Sequence, residues 1–493
     1  MDSGTTARFE AVPVPTPGGG PLVVELVPAP DPWEVARRLA HRGALFFLDS
    51  ADRHNERGRY SYVTIGNGHT QHRDCRMGRK KNYDSLRLLT HELPSPPAKS
   101  VSGLPPFQGG LAVLLGYELG RGLEILPESR FDEFECPVCA FSVCDWVISF
   151  DHAQNRAWIV STGRWLREHV PDPKRAEARL AKVLAVLAGP YIPPKICEPQ
   201  FPAEVYIPPE RLTSQYPLPG FPGVTSNFDR PGFEAAVARA VEYIHAGDCF
   251  QVNLSQRLLA PLREHPLDLY GRLRTLNPAP FAAYFDLGDF QILSASPERF
   301  LRVQYGEVET RPIKGTRPRG RTPAEDATLV ADLIANPKDR AENVMIVDLM
   351  RNDLGRVCEY GSVRVPRVCE VETFRYVHHL VSEVRGKLRP DCGPLDLLRA
   401  AFPGGSVTGA PKVRAMEVIA ELEPTARGPY CGSLGFVGFD GTMDTSILIR
   451  TFTAGRGWVQ FPVGGGIVAD SDPSREYEET LHKAAGLLKA LEL

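Results

Sequence analysis

Residues 249–258, Cys-Phe-Gln-Val-Asn-Leu-Ser-Gln-Arg-Leu, alternate polar and apolar side chains. Gln251, Asn253, Ser255 and Arg257 share one face; Phe250, Val252, Leu254 and Leu258 share the other. This is the pattern of a strand in an antiparallel sheet with one buried face, and it places a core on one side and water or a polar cleft on the other. A helix over 231–246 leads into it, capped by Asp229, begun by proline and ended by Gly247. Shorter strands are expected at 44–48, 107–117, 138–150 and 458–463, with a meander over 430–439 and 442–452 turning at Asp440-Gly441. Helices are expected at 33–41, 84–93 and 173–187, the last with Leu180, Val183, Leu184 and Leu187 on one side.

The 493 residues divide by composition. Residues 1–20, rich in proline and ending in three glycines, read as a flexible tail. An N-terminal half at 21–188 is followed by a proline-dense connection at 189–227 and a C-terminal half at 228–493. The apolar and charged fractions, 43% and 24%, are those of a soluble globular chain. A formal net charge of -3 gives no bulk attraction to nucleic acid or an anionic membrane, and no apolar run is long enough to span one. Met1-Asp-Ser-Gly-Thr-Thr has no signal-peptide character. Ten scattered cysteines suit a reducing compartment, so a cytoplasmic setting is expected. Cys136, Cys139 and Cys144 lack a second metal-binding pair and read as small strand residues. The basic run 69–81 reads as a solvated loop, with a phosphate patch as the weaker alternative.

Several side chains carry possible chemistry. Lys314 follows a hairpin, 300–304 and 307–313 around Tyr305-Gly306, and stands beside Gly315. A surface loop lysine is the ordinary reading; a nucleophile would need burial or a nearby cation to depress its pKa. Glu298 sits in a tight turn after a strand. Thr322-Pro-Ala-Glu325 is a capping box for a helix that stops at Asn336-Pro337. The next helix carries Asp339 and Glu342 on one face, and the last, over 473–493, carries Glu476, Glu479 and Lys483. These carboxylates are first-turn charges that suit the helix dipole, or hard oxygen ligands for Mg²⁺. The loop 403–412 places Ala410-Pro411 where a nucleotide phosphate loop needs lysine and a hydroxyl, so nucleotide binding is rejected. Gly464-Gly-Gly466 offers open backbone N–H groups to an anion, and Arg450 is a carboxylate clamp.

From about Phe228 onward the chain resembles the chorismate-utilising enzymes. The resemblance rests on Gly247-Asp-Cys-Phe-Gln-Val-Asn-Leu254, Ser296-Pro-Glu298, Arg311-Pro-Ile-Lys-Gly-Thr316, the run from Asp339 to Asp353, Pro403-Gly-Gly-Ser-Val-Thr-Gly-Ala-Pro-Lys412 and Gly464-Gly-Gly-Ile-Val-Ala-Asp-Ser471. Phe47-Leu-Asp-Ser50 and Leu104-Pro-Pro-Phe-Gln-Gly-Gly110 extend it more weakly into the N-terminal half. It implies an α+β fold of large antiparallel sheets stacked around a deep cleft, helices outside, with the two halves interleaved.

The lysine at 314 is similar to that of the aminodeoxychorismate synthase component I branch, which aminates chorismate to 4-amino-4-deoxychorismate for 4-aminobenzoate and folate synthesis. The anthranilate synthase component I branch typically has alanine there and remains the alternative; a non-catalytic metabolite-binding subunit is a second one. By resemblance, Lys314 attacks the ring, Glu298 protonates the departing hydroxyl and ammonia displaces the lysine. Gln251 stands where water-adding relatives carry a lysine base. His379 matches a histidine beneath the ring, or is simply a packed core residue. Glu342 and Glu479 match Mg²⁺ ligands, with Asp339 and Glu476 as outer partners. Thr408, Tyr430, Arg450, Gly464, Gly465, Gly466 and Lys483 match substrate contacts. No glutaminase nucleophile turn is present, so a separate glutaminase subunit is expected to deliver ammonia. Phe47-Leu-Asp-Ser50 and Pro280-Phe281 hint at the tryptophan pocket of some relatives.

Overall fold

The computed structural model describes residues 9–16, 20–53, 56–66, 71–73, 86–95, 97–164, 170–193 and 206–492. The basic run from 74 to 81 and parts of the expected tail and of the proline-dense connection lie outside the described residues.

Two antiparallel sheets, of fourteen and ten strands, carry the fold. Each draws on both halves of the chain. In the larger sheet Leu45–Asp49 pairs with Phe281–Asp286, and in the smaller Gly110–Leu115 pairs with Ser433–Gly438. Phe46, Tyr62, Phe107, Leu114, Phe285 and Phe436 pack together, so one core lies between the sheets. A second core joins the larger sheet to the helices Pro32–Ala40, Pro266–Leu276 and Pro473–Leu491. A third joins the smaller sheet to Pro337–Gly355, Pro394–Ala401 and Lys412–Leu422. This order of helix, sheet, sheet, helix is the expected α+β arrangement of stacked sheets. Among the described residues no helix is long and apolar enough to cross a membrane.

Local rules fix the helices that matter. Asn336 Oδ1 accepts the Asp339 N–H at 2.9 Å and Pro337 fills the first position, so Pro337–Gly355 begins where the sequence places it. Asp472 does the same for Pro473–Leu491, accepting from Arg475 N–H at 2.9 Å.

The strands depart from expectation where the chain changes sheets. The expected strand at 138–150 is two, Cys139–Cys144 in the smaller sheet and Trp146–Asp151 in the larger. Asp145 makes the corner, its carbonyl accepting from the N–H and the hydroxyl of Thr162. The expected strand at 442–452 likewise divides into Met443–Ile447 and Thr451–Gly455, one in each sheet, with Arg450 in the crossover at φ +51°. The polar face of Gln251–Pro261 meets no water, because Ser255 donates to the buried Glu423 carboxylate and Arg257 pairs with Glu133 at 2.7 Å.

Candidate active site

The stretch around Lys314 is a second strand rather than a strand end. Pro312 has no N–H to give, so Glu307–Thr310 stops and Ile313–Pro318 begins anew on the same neighbour, Val377–Lys387. Ile313 pairs with Val381 and Thr316 with His379, leaving one extra residue on the lysine's strand. That residue makes a bulge, a device that re-aims side chains. Gly315 takes φ +84° within it, and a Cβ there would stand 2.9 Å from Asp339 Cγ. Only glycine fits this close, left-handed approach.

The bulge sends Lys314 toward Trp458–Ile467. The glycine run is the end of that strand and not a loop after it: Gly464, Gly465 and Gly466 pair with Ser255, Leu254 and Asn253. Their missing side chains make room. A Cβ on Gly466 would lie 2.6 Å from Gln251 Nε2 and 3.5 Å from Lys314 Nζ. A Cβ on Gly465 would lie 3.3 Å from Glu476 Oε2, 3.4 Å from Glu479 Oε1 and 3.5 Å from Lys483 Nζ. Residues from strands and helices far apart in sequence thus meet over two glycines. Lys483 Nζ is 2.7 Å from Glu479 Oε1 and donates to the Gly464 carbonyl at 2.9 Å.

Burial sets the charges. Lys314 is held below the ordinary lysine range by burial and by Lys483, against the pull of Glu342, Glu298 and Glu479. Glu298 is 5% exposed, and burial pushes its carboxyl up to about 7, opposed by a hydrogen bond from Ser406 and by Lys314. Ser406 Oγ donates to Glu298 Oε1 at 2.7 Å. Both amide atoms of Gln251 are buried and have no partner among the described residues, an unmet capacity that a small polar reactant could satisfy.

His379 bonds Thr316 Oγ1 at 2.8 Å and the backbone of Gly315, and burial with Arg450 and Arg57 pushes it down to about 3, so it is neutral. Arg450 is itself lowered by burial, with no carboxylate among the described residues opposing the shift. Tyr430 is buried and raised well above the usual tyrosine range. Thr408 Oγ1 donates to the Gly404 carbonyl at 3.0 Å, so its hydroxyl is already engaged in the loop. Lys412, in the loop rejected as a phosphate binder, locks Asp353 and the Ala401 carbonyl at 2.7 Å each.

Residues 44–489 match the family described as chorismate binding enzyme. The chain belongs to this family. It is 41% identical over 469 residues to anthranilate synthase component 1 of Thermus thermophilus, covering 92% of this chain and 94% of that one. It is 44% identical over 388 residues to aminodeoxychorismate synthase component 1 of Escherichia coli, covering 78% of each. The crystal structure of anthranilate synthase component I from Streptococcus pneumoniae superposes with a TM-score of 0.68 at 32% identity, over 90% of this chain and 92% of that one. The chorismate-utilising enzyme is therefore established by family, while relatives of both branches stand equally near.

Within this chorismate binding enzyme the carboxylates were tested as a cation site. Glu342, Glu476 and Glu479 are hard oxygen donors, Glu476 buried, Glu342 half-buried and Glu479 exposed, and burial together with neighbouring carboxylates raises Glu342 and Glu476. Gly465 leaves a space between Glu476 and Glu479 that a Cβ would fill. This chemistry fits Mg²⁺. Among the described residues no three such side chains converge closely enough to enclose a cation by themselves. Asp339 pairs with Arg317 at 3.1 Å.

Sequence reading passed over two neighbours of these groups. Ser406 lies in the glycine-rich loop 403–412, whose motif carries the family resemblance without singling out its hydroxyl. Lys338 faces Glu342, Glu476 and Glu479, and its place one residue before Asp339 was the available signal. The segments 47–50 and 280–281 do meet, Leu48, Asp49, Ser50, Pro280 and Phe281 lining a cavity of about 1070 Å³ between the sheets.

Proposed function

We propose that this chain aminates chorismate to 4-amino-4-deoxychorismate, for 4-aminobenzoate and folate synthesis, using ammonia from a separate glutaminase subunit. The observation that carries this reading is the placement of Lys314: a half-buried amine of lowered basicity, aimed by a bulge at the glycines that gather the site. An amine kept from protonation is a nucleophile. Arg450, Tyr430, Thr408 and Lys483 orient the substrate, with Arg450 free of carboxylate partners among the described residues to clamp a carboxylate. Lys314 Nζ forms a bond to the ring as the ring C–O bond breaks, and the hydroxyl leaves as water with the proton of Glu298. Ammonia, placed by the unpartnered Gln251 amide, then bonds to the ring, loses a proton and displaces the lysine with its electron pair. His379, neutral and tied to the bulge, keeps the lysine's strand in register and does not act as an acid. Mg²⁺, held by Glu342, Glu476 and Glu479, would neutralise a substrate carboxylate when bound.

The test is product identification with chorismate, Mg²⁺ and an ammonium salt. Mass spectrometry is expected to show 4-amino-4-deoxychorismate, with no pyruvate released and no product from glutamine alone. Fluorescent anthranilate with stoichiometric pyruvate would overturn the reading. Glu342→Ala and Glu479→Ala are each expected to abolish turnover at limiting Mg²⁺ while leaving the circular dichroism spectrum unchanged. Near-parental turnover under those conditions would remove the metal assignment.

A further inference from the structure

Arg57 comes from the opposite end of the sequence to the site. It lies in the short turn Glu56–Gly58, which is tightly held: a Cβ on Gly58 would stand 1.8 Å from the Asp52 carbonyl oxygen. Its side chain is 3% exposed and ion-paired with Glu372. Its guanidinium lies 5.8 Å from the centre of the Phe374 ring. Phe374 in turn meets the His379 imidazole edge-on at 5.2 Å. His379 holds the bulge through the two residues after Lys314, the backbone of Gly315 and Thr316 Oγ1. The ion pair reaches the same place by another path, since Glu372 stands opposite His379 across the strands and 3.7 Å from Arg311, just before Pro312.

We propose that Arg57 is a positioning residue for the chorismate reaction: it braces the Phe374–His379 stack against the lysine-bearing bulge and supplies positive charge behind Glu298. The N-terminal half thereby contributes to the chemistry of a site whose other residues all come from the C-terminal half. Lys314 and Arg57 are the cations facing Glu298, and the Cys431 thiol is the other titratable neighbour. His379 is faced by Arg450, Arg57 and His378. Both cations hold the Glu298 carboxyl below the value that burial alone would give. Loss of Arg57 therefore lets Glu298 keep its proton to higher pH.

This inference rests on Glu298 as the acid, and the test reads chorismate consumption, whichever amine product forms. The rate with ammonium salt is followed against pH for the parent, Arg57→Met, Arg57→Lys and the double variant Arg57→Met/Glu372→Met. The ammonium equilibrium is common to all four and cancels in the comparison. Arg57→Met is expected to lower kcat more than it changes KM, and to move the high-pH limb upward by about half to one pH unit, the scale of one nearby charge. Arg57→Lys should return that limb to the parental position with only part of the rate, since lysine cannot reproduce the planar stack and pairing. The double variant removes the buried pair together, which leaves no orphaned charge, and should fold. It should show the same upward shift. A folded variant without the cation whose limb superimposes on the parent's would overturn the proposal, as would failure of both Met-containing variants to fold, which would make Arg57 structural only. Product identity, read on the same samples, separately tests the amination reading.

Discussion

Lys314→Ala is expected to lose the covalent adduct, most of the rate and the parental product. The amine has three features that an ordinary surface lysine lacks. It is half-buried, it is faced by a second lysine, and it stands beside an acid that is half protonated near neutral pH. Its carrier is the extra residue of a bulge, so its direction is set by backbone pairing and not by a flexible loop. A covalent route divides one difficult displacement into two easier ones. Its removal should cost on the order of 10²-fold in rate, the scale on which single positioned catalytic groups contribute. Some turnover should survive, because ammonia can attack a bound substrate whose leaving group is still protonated. Without lysine, attack at the other ring position gains ground, and the product should shift toward the anthranilate-type intermediate. Intact-mass analysis during turnover, paired with product identification, reads both effects. An unchanged rate and product in Lys314→Ala, with no adduct on the parent, would leave the lysine as a positioned charge and favour the anthranilate branch.

What was legible in the sequence follows the range of the interactions involved. Helix starts were legible because their causes lie within four residues: Asn336 caps Asp339, and Asp472 caps Arg475. The carboxylates at helix spacing, Asp339 with Glu342 and Glu476 with Glu479, were visible for the same reason. That Glu476 and Glu479 face one glycine was not, because Gly465 is brought there by pairing with Leu254. Sheet changes were also hidden. The runs at 138–150 and 442–452 carry no glycine or proline to mark a corner at Asp145 or Arg450, and the partners on either side differ. For the polar face at Gln251, Asn253, Ser255 and Arg257 the pattern leaves water and a polar cleft equally open, because the partners that decide it, Glu423 and Glu133, lie more than 120 residues away. The glycine run resembled a loop because glycine weakens strands. It is kept in this one because a Cβ on Gly464 would come 2.4 Å from the Leu254 carbonyl.

Glu298→Gln is expected to cost more turnover than Lys314→Ala. Glutamine keeps the volume and can still accept the Ser406 hydroxyl, so the pocket at the strand turn should stay folded. It has no transferable proton. The departing ring hydroxyl would then leave as hydroxide, and loss of a positioned acid costs roughly 10²–10⁴-fold, about 3–5 kcal/mol of barrier. The pH dependence identifies the group. Burial raises the carboxyl to about 7, so the acid is mostly protonated below that pH and loses tenfold per unit above it. The rate of the parent should therefore fall on the alkaline side from near neutrality. The lysine works in the opposite sense, since its amine must be free and its lowered basicity frees it as pH rises. Together they give a bell whose high-pH limb belongs to the acid. In Glu298→Gln that limb should vanish, leaving a low rate that only rises with pH as the amine deprotonates. A Glu298→Asp variant, with the carboxyl withdrawn by one methylene, should retain the limb at reduced rate. Persistence of the parental high-pH limb in Glu298→Gln would assign the proton to another group and remove Glu298 from the reaction.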